Sequence, residues 1–144
     1  MPMPICDSMV SARLLPHSRG AASMTKAYKP LLDELGLTYP QYLAMLVLWE
    51  GDGLMVSELG ERLYLDSGTL TPLLKRLEAS SLITRIRAVE DERRVHITLT
   101  ASGRKLKTRA ARIPGCILSA SQCSIPELVL LTQQVQALRE RLVA

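Results

Sequence analysis

"VSELGERLYLDSGTLTPLLKRLEASSLITRIRAVEDERRVHITLT", residues 56–100, decides the fold. Val56, Leu59, Leu63 and Leu65 supply an apolar face at near-helical spacing, with Glu58, Glu61 and Arg62 facing out, so a short helix is expected from Ser57. Asp66 or Ser67 then caps a second helix running to about Ala79. Its leucines, Leu70, Leu73, Leu74 and Leu77, point inward, while Ser67, Thr69, Thr71, Lys75 and Arg76 project outward. Residues 82–88 and 94–99 alternate as strands do, and "VEDER" between them makes a charged turn. The result is a two-stranded ribbon, with Arg85 and Arg87 before its turn and Arg93 and Arg94 after it.

Helix, short helix, helix and hairpin, over residues 40–99, is the order of a winged helix-turn-helix. Such a module presents the polar N-terminal end of its second helix to the major groove. Small hydroxyls there can bond phosphates or base edges, helped by the positive end of the helix dipole. A ribbon tipped with arginine can place a guanidinium in the narrow minor groove, where the potential is most negative. The candidate DNA contacts are therefore Ser67, Thr69, Thr71, Pro72, Lys75 and Arg76 on the helix, with Arg85, Arg93 and Arg94 on the wing. Asp91 and Glu92 are tolerable beside them if one orients an arginine through an ion pair.

Upstream, a helix is expected from about Ala21 to Leu35, closed by Gly36. Thr38 then reads as an N-cap, with Pro40 in the first turn and Gln41 at the capping-box position. The helix "YPQYLAMLVLWE" is apolar around most of its circumference and should be central; "GDG" at 51–53 stops it. Downstream, Thr100 caps a long basic helix, interrupted or kinked at Pro114 and Gly115. Ser124 and Glu127 form a second capping box. Leu128, Leu131, Val135, Leu138 and Leu142 then recur at spacings of three and four, the seam of a helix that packs along its length on another. At a chain end that pattern favours a subunit interface, and a homodimer is expected.

The fold class is thus mainly α with a small β-hairpin wing. An irregular segment, 1–20, precedes one domain, 21–144, in which a winged helix-turn-helix at about 40–100 sits between dimerisation helices at about 21–36 and 101–144. At 144 residues and 47% hydrophobic the chain can bury a core, which must be aliphatic because Phe is absent and Trp occurs once. A net charge of +4 is compatible with a polyanionic partner. No apolar run approaches the roughly 18 residues of a membrane span, and the N-terminus lacks an apolar export signal, so no membrane partner and a cytoplasmic location are expected. Cys6, Cys116 and Cys123 lack zinc-type or disulfide-framework spacing, in keeping with a reducing compartment. Enzyme signatures are missing: there is no Ser-His-Asp spacing, P-loop, HExxH or dinucleotide fingerprint, and His17 and His96 are isolated. No cofactor is implied.

"MTKAYKPLLDELGLTYPQYLAMLVLWE", "VSELGERLYLDSGTLTPLLKRLEA" and "EDERRVHITLT" resemble the MarR family of winged-helix regulators, and within it the thiol-based sensors of organic hydroperoxides. The resemblance runs from about Met24 to the C-terminus. It implies a homodimeric repressor of a peroxide-resistance gene, bound to an inverted-repeat operator in double-stranded DNA. In that family an N-terminal cysteine is oxidised to a sulfenic acid. The sulfenic acid then forms a disulfide, or a mixed disulfide with a low-molecular-weight thiol, and the dimer leaves its operator. Tyrosines of the "KAY" and "LTY" motifs hydrogen-bond the reactive sulfur; these match Tyr28 and Tyr39. Phenol hydroxyls beside a thiolate stabilise it and lower its pKa. The family's cysteine lies about four turns before "KAY", where this chain has Leu14; Cys6 comes eight residues earlier. Cys6 is the candidate reactive thiol, with Cys116 and Cys123 as candidate resolving partners. The alternative within the same family is a regulator released by a small apolar or phenolic ligand, held between the dimerisation helices and the winged-helix lobe.

Overall fold

The computed structural model describes residues 19–91 and 93–143, with side chains from Lys26 onward. Helix α1 spans Arg19–Asp33, two residues earlier than the sequence suggests. Gly36, at φ +70°, reverses the chain so that Leu37 N–H reaches Leu32 O at 3.1 Å, a closure that a side chain at position 36 would strain. Helix α2, Tyr39–Glu50, starts on the expected capping box: Thr38 Oγ1 accepts Gln41 N–H, and Gln41 Oε1 accepts Thr38 N–H. It runs through the core, burying Tyr42, Leu43, Met45, Val47 and Leu48.

A strand then appears that the sequence did not announce: β1, Leu54–Met55. Helix α3, Val56–Leu63, follows, and Tyr64 leaves it in the left-handed conformation at φ 56°. Helix α4, Ser67–Ala79, is capped by the Asp66 carboxylate, which accepts Thr69 N–H at 2.8 Å. Strands β2, Ile83–Arg87, and β3, Val95–Leu99, pair antiparallel, with Ile83 opposite Leu99 and Arg87 opposite Val95. Among the described residues the sheet thus has three strands in the order β1–β3–β2, a correction to the two-stranded ribbon. Two residues are too few to show an alternating pattern, and β1 is held by its pairing of Leu54 with Ile97.

The long basic helix is two helices, α5 at Ala101–Ala110 and α6 at Ile113–Ser121. Pro114 sits in the first turn of α6, where its missing N–H costs nothing. Helix α7, Ile125–Val143, begins on the Ser124–Glu127 box. Arg139 of α7 lies over the ring of Tyr64. Leu59, Leu63, Leu70, Leu74, Leu77, Ile83 and Ile97 close one aliphatic core around α2. No single helix among the described residues is long and apolar enough to cross a membrane.

The base of the sheet depends on one close approach. Gly103 on α5 takes the Trp49 indole N–H on its carbonyl at 2.9 Å, and its own Cα faces the Leu82 carbonyl. A Cβ at position 103 would overlap Leu82 O and press on Leu99 Cδ2 at 3.3 Å. Gly103→Ala is expected to destabilise the chain by about 1–3 kcal/mol, the usual cost of overpacking. Urea unfolding followed by fluorescence of Trp49 measures it; a midpoint equal to the wild type's would show that the backbone gives way at no cost.

Candidate nucleic-acid interface and thiol site

The outward stripe of α4 is built from its inward one. With Leu70, Leu73, Leu74 and Leu77 buried, Ser67, Thr69, Pro72, Lys75 and Arg76 must face solvent, and they do. Thr71 is the exception among the candidate contacts: it is half-buried rather than projecting, because it follows Leu70 around the helix towards the core side. The Asp66 carboxylate, beside this stripe, is held below its ordinary pKa by hydrogen bonds from Thr69. It stays ionised and caps the positive end of the helix dipole.

The wing turn is organised by Asp91. Its carboxylate accepts Arg93 N–H at 3.0 Å, its carbonyl accepts Arg94 N–H at 3.0 Å, and its Oδ2 stands 4.0 Å from Arg94 Nε. Ala88 N–H donates to Arg94 O at 2.8 Å and closes the ribbon. Arg87, Arg93 and Arg94 are exposed around this turn. Glu92 lies outside the described residues.

Arg85 departs from expectation. It is not at the tip: its side chain turns back to α4, with Nη2 3.0 Å from Glu78 Oε1 and Nε 3.3 Å from Glu78 Oε2. The reason is the strand's two-residue alternation, which puts Arg85 on the same face as buried Ile83, over the end of α4. Nothing local marks Glu78 as its partner, since the two lie seven residues apart across a turn.

Sequence reasoning also missed Asp52, read only as part of a helix stop. Its Oδ1 accepts N–H groups of Leu99 and Gly53, each at 2.8 Å, and its Oδ2 takes Arg104 Nη2 at 3.3 Å. Burial pushes this carboxyl up, but the Leu99 N–H, the Arg104 guanidinium and the Gly53 N–H together hold it below its usual value. Asp52 thus ties the end of α2 to the last residue of the wing and to α5.

The two tyrosines named for the thiol site come together. Tyr28 on α1 and Tyr39 at the start of α2 are buried, with ring centroids 5.0 Å apart; Tyr42 joins them at 5.9 Å from Tyr28. Burial, with Tyr28 beside it, pushes the Tyr39 phenol far above its ordinary range, so it keeps its proton and an O–H to donate. Cys116, on α6, is exposed. Cys123, just before α7, is half-buried, with its Sγ 3.5 Å from Ser121 O. Cys6 lies outside the described residues. An open groove between α3 and α4 is lined by Val56, Gly60, Tyr64, Leu65, Ser67 and Leu70.

The chain is similar in sequence and in fold to known regulators. Residues 26–110 match the family described as transcriptional regulator SarA/Rot. The chain belongs to the SarA/MarR winged-helix transcriptional regulators. It is 57% identical over 119 residues to the organic hydroperoxide resistance transcriptional regulator of Bacillus subtilis (strain 168), covering 83% of this chain and 81% of that one. Among solved structures, AbfR of Staphylococcus epidermidis is 32% identical with a TM-score of 0.73 over 86% of both chains. The S. aureus MepR–DNA complex superposes with a TM-score of 0.74 at 26% identity, covering 84% of this chain and 91% of that one. The mainly helical fold with a small antiparallel sheet is that of these winged-helix neighbours, as the order of elements in residues 40–99 implied.

Proposed function

We propose that this winged-helix regulator is a cytoplasmic homodimeric repressor that holds an inverted-repeat operator of a peroxide-resistance gene and leaves it when an organic hydroperoxide oxidises a cysteine. The observation that carries the DNA half is the exposure both of the stripe from Ser67 to Arg76 and of the arginines of the wing turn. In this reading Ser67, Thr69, Pro72, Lys75 and Arg76 meet the major groove, with Thr71 supporting from its half-buried position, while Arg93 and Arg94 meet the minor groove. The likeness to MepR, solved as a DNA complex, and to AbfR, solved in reduced form bound to DNA, supports it.

The exposed apolar seam of α7 supports the dimer. Leu131, Leu138 and Leu142 are about half or more exposed in the single chain, an arrangement that a second copy would cover. The double variant Leu131→Glu/Leu138→Glu is expected to sediment as a monomer with weakened operator binding; a dimer of unchanged affinity would remove α7 from the interface.

The sensing half rests on the 57% identity to a hydroperoxide-resistance regulator, on AbfR's having been solved reduced, overoxidised and disulfide-formed, and on the protonated Tyr39 phenol beside Tyr28. The Cys6 thiolate attacks the distal oxygen of the hydroperoxide. The S–O bond forms as the O–O bond breaks, and the departing alkoxide takes a proton to leave as an alcohol. A second thiol then attacks the sulfenic sulfur, expelling water and forming a disulfide; Cys116, Cys123 or a low-molecular-weight thiol can supply it. Tyr28 and Tyr39 hydroxyls donate to the thiolate and favour it. The test is a titration of promoter DNA with and without cumene hydroperoxide. Release on peroxide and recovery with dithiothreitol are expected; affinity that ignores the oxidant rejects the sensing half alone.

A further inference from the structure

The Glu78–Arg85 pair is more than a surface ion pair. Both carboxylate oxygens meet the guanidinium, at 3.0 and 3.3 Å, and the two side chains are only 39% and 29% exposed. Such two-pronged pairs are directional as well as attractive. Glu78 sits in the last turn of α4, at the negative end of the helix dipole, where a carboxylate is disfavoured unless a cation answers it. The Arg85 hydrogen bond keeps that carboxyl below its ordinary pKa.

The pair's position in the fold matters more than its strength. The base of the wing is pinned to α4 by a tight turn: Ser80 N–H to Arg76 O, Ser81 N–H to Glu78 O and Leu82 N–H to Leu77 O, all within 3.1 Å. Thr100 Oγ1 adds a 2.6 Å bond to Ser81 O. All these bonds lie at the pivot; β1 holds the β3 edge further out, through Leu54 with Ile97 and Met55 with His96, and leaves the β2 edge to Arg85. Arg85 lies three residues further out along β2, about 10 Å along the strand. From Ile83 to Ala88 the wing extends about 17 Å, so a tilt of roughly 10° at the pivot would move its tip about 3 Å. The minor groove is about 6 Å wide. A brace on the β2 edge, outside the pivot, therefore helps to set whether helix and wing can enter their grooves together.

We propose that Glu78 is a positioning residue that holds Arg85, and that the pair sets the angle between α4 and the wing instead of Arg85 contacting DNA. The proposal rests on the reading that α4 and the wing bind duplex DNA. It separates from a phosphate-contact role by sign. If Arg85 were a DNA contact, removing the Glu78 charge would free a cation and tighten binding. If the pair is a brace, removing either partner loosens the wing and weakens binding.

The experiment measures anisotropy of labelled promoter duplex with full-length wild type, Glu78→Gln, Arg85→Gln, the double variant and the swap Glu78→Arg/Arg85→Glu, at several salt concentrations. Each single change is expected to weaken binding about tenfold, the double to be no worse than either single, and the swap to recover most of the loss. The salt slope should not change. Tighter binding by Glu78→Gln, additive losses, or a slope lowered by about one in Arg85→Gln would overturn the proposal and return Arg85 to the phosphate contacts. Amide exchange of the DNA-free protein gives a reading that needs no operator. In Glu78→Gln the Ala88 and Arg94 N–H groups should exchange faster while those of α2 stay unchanged; unaltered wing exchange would overturn it. A wild type without duplex affinity would instead reject the DNA-binding reading and leave the exchange result to decide on the brace.

Discussion

Arg94→Ala is expected to weaken binding to every duplex by about 10- to 100-fold while leaving the fold and the dimer intact. Arg94 is exposed at the wing turn, and among the described residues its charged group makes only a long ion pair with Asp91, at 4.0 Å. Its backbone, not its side chain, closes the ribbon through Ala88 and Asp91, so truncation keeps the turn. A guanidinium in the minor groove reads potential and width rather than a base code, so the loss should be nearly the same for operator and unrelated DNA. The slope of log affinity against log salt should fall by about one. Binding curves at three salt concentrations, with sedimentation of both proteins, measure all of this. A monomeric or unfolded variant, or a loss confined to the operator, would contradict the role given to Arg94.

The second large effect concerns the thiols. A variant lacking all three cysteines is expected to bind promoter DNA as the wild type does and to be insensitive to cumene hydroperoxide. Cys6→Ser alone should behave in the same way, because without the first sulfenate no later disulfide forms. Cys116→Ser and Cys123→Ser should still respond, with changed recovery if either resolves the sulfenate. Tyr39→Phe should slow the response without abolishing it, since it removes one hydroxyl donor to the thiolate and keeps the ring that packs on Tyr28. Peroxide release that survives in Cys6→Ser would move the sensor to Cys116, the exposed thiol of α6, or to the half-buried Cys123.

The two outcomes are separable because the side chains proposed for them lie on different elements. The arginines and hydroxyls lie on α4 and the wing, whereas the tyrosine pair lies where α1 meets α2. Asp52 is built into the wing side of this division. Its carboxylate joins the end of α2 to Leu99 and Arg104, so the wing is fastened to the core.

What was legible in the sequence was local. Thr38, Asp66, Thr100 and Ser124 each carry a capping oxygen with the right spacing to the next turn, and each caps a helix. The leucines of α4 keep a helical period, so their burial and the exposure of Thr69 and Lys75 followed from one count. The paired strands showed their alternation because each is five residues long. What was hidden depends on contacts between distant residues. β1 exists only through its partner Ile97, and Arg85 is turned by Glu78 across a turn. Asp52 meets Leu99 47 positions away, and Gly103 is required because Leu82 passes behind it. Thr71 was placed outward by residue type, but it sits beside the buried stripe. The seam of α7 could be read as a pattern, but a pattern does not say which surface covers it.

Hydroxyl-radical footprinting of the wild-type protein on the DNA upstream of its own gene bears most directly on the idea that two copies each insert one helix end and one wing into a duplex. Two protected half-sites, centred about 10 base pairs or a multiple of it apart and related by a two-fold axis, with minor-groove protection flanking each, are the predicted result. A single protected patch, or two on opposite faces of the duplex, would contradict it.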